Sequence, residues 1–177
     1  MNFNLLLVRH AKSSWSNTSL TDFDRPLNKR GVSNAPLMGQ RIREYGLHLD
    51  AIITSTAERA QETSKLIAKE ITYDLEGIDL EPDLYHASRD VFINILSKQQ
   101  NRNIAMVGHN PGIKDFSYWL SSEPTVNFHT CGVIHISLIL DNCTKIFKNM
   151  KSYSKEFLFD VFSNFYLKQK EESYCSC

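Results

Sequence analysis

An α/β domain built on a largely parallel central sheet is predicted by three features of the chain. Short apolar runs recur at 4–8, 51–53 and 103–107; each leads through a polar turn toward a helix-patterned segment; and no internal repeat, low-complexity tract or linker-like shift breaks the alternation. The 177 residues, 42% hydrophobic and 23% charged, suit one core-bearing domain spanning 1–177 and exclude a disordered or coiled-coil chain.

The elements follow in order. Asn4 to Val8 has the Leu- and Val-rich composition of a strand buried on both faces, and its end delivers Arg9 and His10. The polar stretch from Ser13 to Asn28, with Trp15, Asp22, Asp24 and Pro26, reads as a long loop. A helix is expected from Lys29 to Tyr45, closed by Gly46. Ala51-Ile52-Ile53 is a second strand, after which Thr54-Ser55-Thr56 offers side-chain oxygens to cap a helix running to Glu70. A short strand at 78–80 and a helix at 90–98 carry weaker signals. Asn103 to Val107 is a third clear strand, followed by Gly108-His109-Asn110-Pro111-Gly112 and a helix over 113–120. Val133 to Leu140 is rich in strand formers, and apolar residues at 157, 158, 161, 162 and 165 give the tail a helix-like stripe that defaults to core packing.

Twenty Lys and Arg balance twenty Asp and Glu, so nothing global attracts nucleic acid or an anionic membrane, and any anion site must be local. The first apolar run is cut by Arg9, too early for a signal peptide or a membrane span, which makes a cytoplasmic monomer the expectation. Four cysteines, two of them at Cys175 and Cys177, do not form the framework of a small secreted fold and read as reduced thiols.

In open α/β sheets ligands bind beyond the carboxyl ends of the strands, and three such ends here carry Arg9-His10, Ser55 to Arg59, and His109. Two arginines and two histidines without adjacent carboxylates suit a small anion, because a guanidinium matches phosphate oxygens bidentately and stays charged. A histidine among cations is biased toward its neutral form, which leaves a ring nitrogen lone pair free to attack phosphorus. His10 is therefore the candidate nucleophile. The flanking arginines repel a metal cation, so no metal is assigned.

Four ordered segments now carry a resemblance. Leu7-Val8-Arg9-His10-Ala11-Lys12-Ser13 resembles the Arg-His signature of the histidine phosphatase superfamily, in its phosphoglycerate-mutase-like branch. Asp24-Arg25-Pro26-Leu27-Asn28-Lys29-Arg30-Gly31, Ser55-Thr56-Ala57-Glu58-Arg59-Ala60-Gln61-Glu62-Thr63 and Val107-Gly108-His109-Asn110-Pro111-Gly112 resemble further family segments in the same order. The short bacterial phosphohistidine phosphatases are the nearest group, and the similarity is clearest over 3–140, with 141–177 atypical.

The resemblance implies a three-layer sandwich with a mixed, largely parallel sheet. It also implies transient phosphorylation of His10, with Arg9, Arg59 and His109 holding the phosphoryl oxygens, Arg25 as a further binding candidate, and no cofactor. Positioned cations supply most of the catalysis of in-line phosphoryl transfer.

One departure matters. Many superfamily members take a general acid from the middle of the chain; Glu81 and Asp83 lie in that region, but Leu84-Tyr85-His86 does not reproduce the acid-bearing pattern, and both carboxylates stay unassigned. A phosphorylated imidazole can leave as neutral imidazole, whereas an alkoxide needs a proton, so a preference for phosphorus bonded to nitrogen or to another good leaving group is expected. The resemblance implies a phosphohistidine-bearing signalling or phosphotransfer protein as the substrate. The alternatives are a small-metabolite phosphatase of the same superfamily and an inactive module that binds phosphorylated proteins. Ser55 is read as a helix cap, Trp15, Tyr118 and Trp119 as packing residues, and His86, His129 and His135 as structural.

Overall fold

The computed structural model describes residues 2–121 and 128–139; the striped segment 157–167, the rest of the tail from Asp141, and Cys175 and Cys177 lie outside them. Among the described residues, strands β1 (Asn2–Arg9), β2 (Ala51–Ser55), β3 (Ile78–Glu81), β4 (Asn103–Gly108) and β5 (Val133–Ile139) form one sheet in the order β3-β2-β4-β1-β5. β1, β2, β3 and β4 run parallel, and β5 pairs antiparallel with β1 at the edge. The sheet is thus mixed and largely parallel, as expected.

Alternation along the central strands creates two buried faces. Leu5 and Leu7 point with Ile53, Ile104, Met106 and Ile136 toward α3 (Arg89–Ser97) and α4 (Gly112–Ser121), where Phe92, Ile95, Leu96, Ile113, Phe116 and Leu120 complete one core. Leu6, Val8, Ile52, Ala105 and Val107 face the other way, against Ala35, Met38 and Ile42 of α1 (Lys29–Tyr45) and Ala60, Ile67 and Ala68 of α2 (Glu58–Glu70). The result is three layers, with helices on both sides of the sheet. Burial of each large side chain such as Phe92, whose ring stacks 5.4 Å from Phe116, contributes about 2–3 kcal/mol to that frame.

The helix over Lys29–Tyr45 has the expected ends. The Asn28 side chain accepts the Gly31 N–H at 3.0 Å, and Gly46 adopts the left-handed φ of 79° that lets its N–H reach the Arg43 carbonyl. The second helix differs from expectation: its N-cap is Ala57, which makes no side-chain cap, while Ser55 remains in the strand and is fully buried. Two aromatic residues also differ from a packing role. Trp15 is 70% exposed and Tyr118 54% exposed; Trp119 does pack on the α3–α4 core. His135 is structural, buried between the Tyr45 hydroxyl and the Asn4 side-chain carbonyl.

Candidate active site

Strand register alone brings the two histidines together. β1 and β4 are parallel neighbours with Arg9 opposite Gly108, so the next residues, His10 and His109, leave the sheet side by side, with ring centroids 4.9 Å apart. Backbone bonds fix the exit: the His10 N–H donates to the Gly108 carbonyl at 3.0 Å, and the Cys131 N–H donates to the carbonyls of Arg9 and His10. β2 flanks β4 on its other side and supplies Ser55, and the first turn of α2 supplies Arg59.

The His10 ring is held in one tautomer. Its Nδ1 lies 2.7 Å from the Ala11 carbonyl oxygen, which can only accept, so the proton resides on Nδ1 and Nε2 keeps its lone pair. The Arg59 Nε–H donates to that Nε2 at 3.3 Å. Thr63 braces the arrangement from α2: its hydroxyl donates to the Arg59 carbonyl at 2.6 Å and accepts the Ala11 N–H at 2.9 Å. Burial, followed by the charges of Arg59, Arg9 and Arg25, pushes the His10 pKa down to about 4, despite the opposing bond to Ala11. At neutral pH His10 is an uncharged imidazole whose Nε2 lone pair is met by the Arg59 Nε–H, a contact that an incoming phosphoryl group would displace.

His109 is fixed by Ser55, whose Oγ lies 2.8 Å from Nε2. Because that Oγ already accepts the Ala57 N–H at 3.3 Å, its own proton can be donated to Nε2, which leaves the His109 proton on Nδ1. Nδ1 is buried with no partner among the described residues, and so is Arg9 Nε, while another Arg9 nitrogen donates to the Phe128 carbonyl at 2.6 Å. Burial and the neighbouring His10 and Arg59 push His109 down to about 3. Two buried donors thus lack acceptors beside a neutral histidine, a condition that an oxyanion relieves.

Around this floor lies a charged rim organised by Asp22. Its Oδ1 accepts from Arg25 Nε at 3.1 Å and from a terminal Arg25 nitrogen at 2.6 Å; its Oδ2 accepts from Arg59 at 2.9 Å and from the Tyr85 hydroxyl at 3.0 Å. Arg59 also donates to the Asp22 backbone carbonyl. Partial burial pushes Asp22 upward, but the bonds from Tyr85 and Arg25 and the charge of Arg59 outweigh it and hold the carboxyl at about 2. Three guanidinium groups against one carboxylate leave two net positive charges, the complement of a phosphoryl dianion. The Arg25 guanidinium also lies 3.5 Å from the centre of the Trp15 ring.

The structure therefore brings Arg9, His10, Arg25, Arg59 and His109 to one place. Glu81 and Asp83 do not join it: the Glu81 carboxylate accepts the Asp83 N–H at 3.1 Å, closing the 3₁₀ turn Pro82–Leu84, and Asp83 is exposed. Ser55, Thr63, Asp22, Tyr85 and His86 were not assigned to the site from sequence. Ser55 and Thr63 sit in a quoted family segment, so position offered a signal for both; Asp22 had nothing to distinguish it from Asp24 two residues on. No group of three or more His, Cys, Asp and Glu residues among the described residues could hold a metal ion, and no helix among them is long and apolar enough to cross a membrane. Cys131 is a buried thiol pushed up to about 12 by burial, which keeps it unreactive.

A neutral histidine at a parallel-strand end, ringed by guanidinium groups, makes this a candidate site for a small oxyanion on an α/β fold. The family model of the histidine phosphatase superfamily (branch 1) matches residues 5–85, which include Arg9, His10, Arg25 and Arg59. Over those residues the chain is similar to that superfamily. An uncharacterised chloroplastic protein of Arabidopsis thaliana is 31% identical over 137 residues, 72% of this chain and 62% of that protein, so the chain spans less than two thirds of that relative's length. Two solved structures share the fold. One is a SixA phosphohistidine phosphatase candidate from Agrobacterium tumefaciens, with TM-score 0.70 and 24% identity, covering 78% of this chain and 96% of that one. The other is the protein histidine phosphatase SixA complexed with tungstate, with TM-score 0.68 and 16% identity, covering 76% of this chain and 88% of that one.

Proposed function

We propose that this protein is a phosphatase that removes the phosphoryl group from phosphohistidine on a protein, by way of a covalent intermediate on His10. The observation that carries this reading is the fixed tautomer of His10, whose Nε2 accepts only the Arg59 Nε–H among the described residues, beside Arg9 Nε and His109 Nδ1, buried donors without acceptors among the same residues. In the first step Nε2 attacks phosphorus in line and the bond to the leaving nitrogen breaks. Arg9, Arg59 and the His109 Nδ1–H take the equatorial oxygens, with Arg25 adding charge from the rim. In the second step water displaces His10 and phosphate leaves.

Two features favour nitrogen as the leaving atom. The only carboxylate described within the charged cluster, Asp22, is held ionised at about 2 and has no proton to give, whereas a phosphoimidazole protonated on its free nitrogen departs without one. The exposed mouth, with Trp15 and the half-exposed Asp22 and Phe23, suits a side chain presented on a protein surface. Binding of tungstate by the related SixA protein supports a tetrahedral oxyanion as the ligand class. The intact His10 weighs against an inactive binding module. A monomeric, cytoplasmic enzyme completes the reading.

The test compares phosphate release from a phosphohistidine-bearing protein and from an alkyl phosphate. Faster release from the phosphoprotein, lost in His10→Ala, is the expected result; faster release from the alkyl phosphate overturns the substrate assignment.

A further inference from the structure

Hydrolysis of a phosphorylated His10 requires a water that gives up a proton, and among the described residues the floor of the site has no group to take it. His10 carries the phosphoryl group, His109 is committed to Ser55 and the oxyanion, and Asp22 at about 2 is too weak a base. His86 is free of these commitments. It follows the 3₁₀ turn Pro82–Leu84, and its neighbours Leu84 and Ala87 are buried while its own side chain is 65% exposed. The segment is seated on the β4–α4 turn: a Cβ at Gly112 would lie 1.8 Å from the Ala87 carbonyl oxygen, so only glycine permits the approach. His86 itself has φ 54°, a left-handed backbone that side-chain-bearing residues seldom adopt.

This placement puts the His86 ring over the site. Its centroid is 6.4 Å from that of His109 with the planes 19° apart, and 4.2 Å from the Tyr85 ring. Its Nε2 lies 3.8 Å from Asp22 Oδ2. The charged and titratable groups that face it are therefore Asp22 from the loop, Tyr85 beside it, His109 beneath, and Arg59 behind Asp22.

We propose that His86, oriented by Asp22, is the proton acceptor for the water that hydrolyses phospho-His10 and, for substrates with an oxygen leaving group, the proton donor in the first step. An imidazole ring has a nitrogen that can accept a proton and, once protonated, a nitrogen that can give one up. In hydrolysis the water oxygen forms a bond to phosphorus, its proton passes to the neutral His86 ring, and the phosphorus–nitrogen bond breaks with its electron pair returning to His10 Nε2. In the first step with an oxygen leaving group, protonated His86 gives its proton to the departing oxygen as the phosphorus–oxygen bond breaks. With phosphohistidine only the hydrolytic step needs His86.

The proposal rests on the phosphatase reading, and one single-turnover experiment separates the two. Wild type, His86→Asn and His86→Gly are mixed with a phosphohistidine-bearing protein and quenched over time; Asn and Gly both tolerate the left-handed backbone, so the fold is kept. In His86→Asn we expect phosphoryl transfer to His10 at the wild-type rate, then hydrolysis slowed roughly 100-fold, so that phosphoenzyme accumulates. Free imidazole added to His86→Gly should restore release, which a merely structural role would not allow. Wild-type decay of the phosphoenzyme in His86→Asn, equal slowing of both steps, or no response of His86→Gly to imidazole overturns the role of His86. Wild type that neither traps phosphate on His10 nor releases it overturns the phosphatase reading itself.

Discussion

The floor and the rim of the site are built by different means. The floor, His10 with His109 and Ser55, hangs from strand ends by backbone bonds, is buried, and is neutral at pH 7. The rim, Asp22 with Arg25, Tyr85 and His86, is held by contacts between side chains of two loops and is partly open to water. Buried, register-fixed groups are costly to alter and set the chemistry, whereas a solvated network adjusts and sets what approaches.

Replacement of the floor's cationic partner should have the largest effect among variants that keep the nucleophile. Arg59→Lys preserves charge but loses the fork that reaches His10 Nε2 and both the backbone and side chain of Asp22, so kcat/KM should fall about 10²–10³-fold. A loss under fivefold in steady-state assays would show that the floor does not depend on that geometry.

The floor's buried histidines should also shape stability. Their ordinary value is 6.5 and their folded values are about 4 and about 3, so below pH 6.5 the unfolded chain binds protons that the folded chain refuses. Stability is full above pH 6.5 and falls as the pH drops toward 4, by about 2 kcal/mol for each histidine by pH 5. Denaturant titrations of wild type and His109→Gln at pH 7 and pH 5 check this; an equal loss in both would remove His109 as a cause. The rim's Asp22 acts lower, its contribution being lost only as the pH falls from 3.8 through about 2.

The smallest effect is expected at the mouth. Trp15→Ala removes an exposed cation–π contact to Arg25 of about 0.5–1 kcal/mol, which should raise KM for a phosphoprotein two- to fivefold with kcat unchanged. A fall in kcat instead would place Trp15 with the floor.

The same division explains what could be read from the sequence. Periodicity and caps located Lys29–Tyr45 and the three central strands, because core burial and helix ends are written locally. Once those strands are parallel neighbours, His10 and His109 must meet. The apolar run before Ser55 predicts a cap there, but the strand continues through it and the helix starts at Glu58, which turns its hydroxyl to His109. Trp15, Asp22 and His86 depend on how two loops fold over one another, and no local pattern encodes that. The left-handed backbone at His86 has no counterpart in composition or spacing.

The central claim is that His10 Nε2 accepts the phosphoryl group. Acid-labile phosphate trapped in a single turnover and mapped by mass spectrometry tests it most directly. The account predicts phosphate on His10 in wild type and a loss of turnover of at least about 10⁴-fold in His10→Ala. Phosphate release from wild type with no phosphorylated His10, or release that survives in His10→Ala, would contradict it.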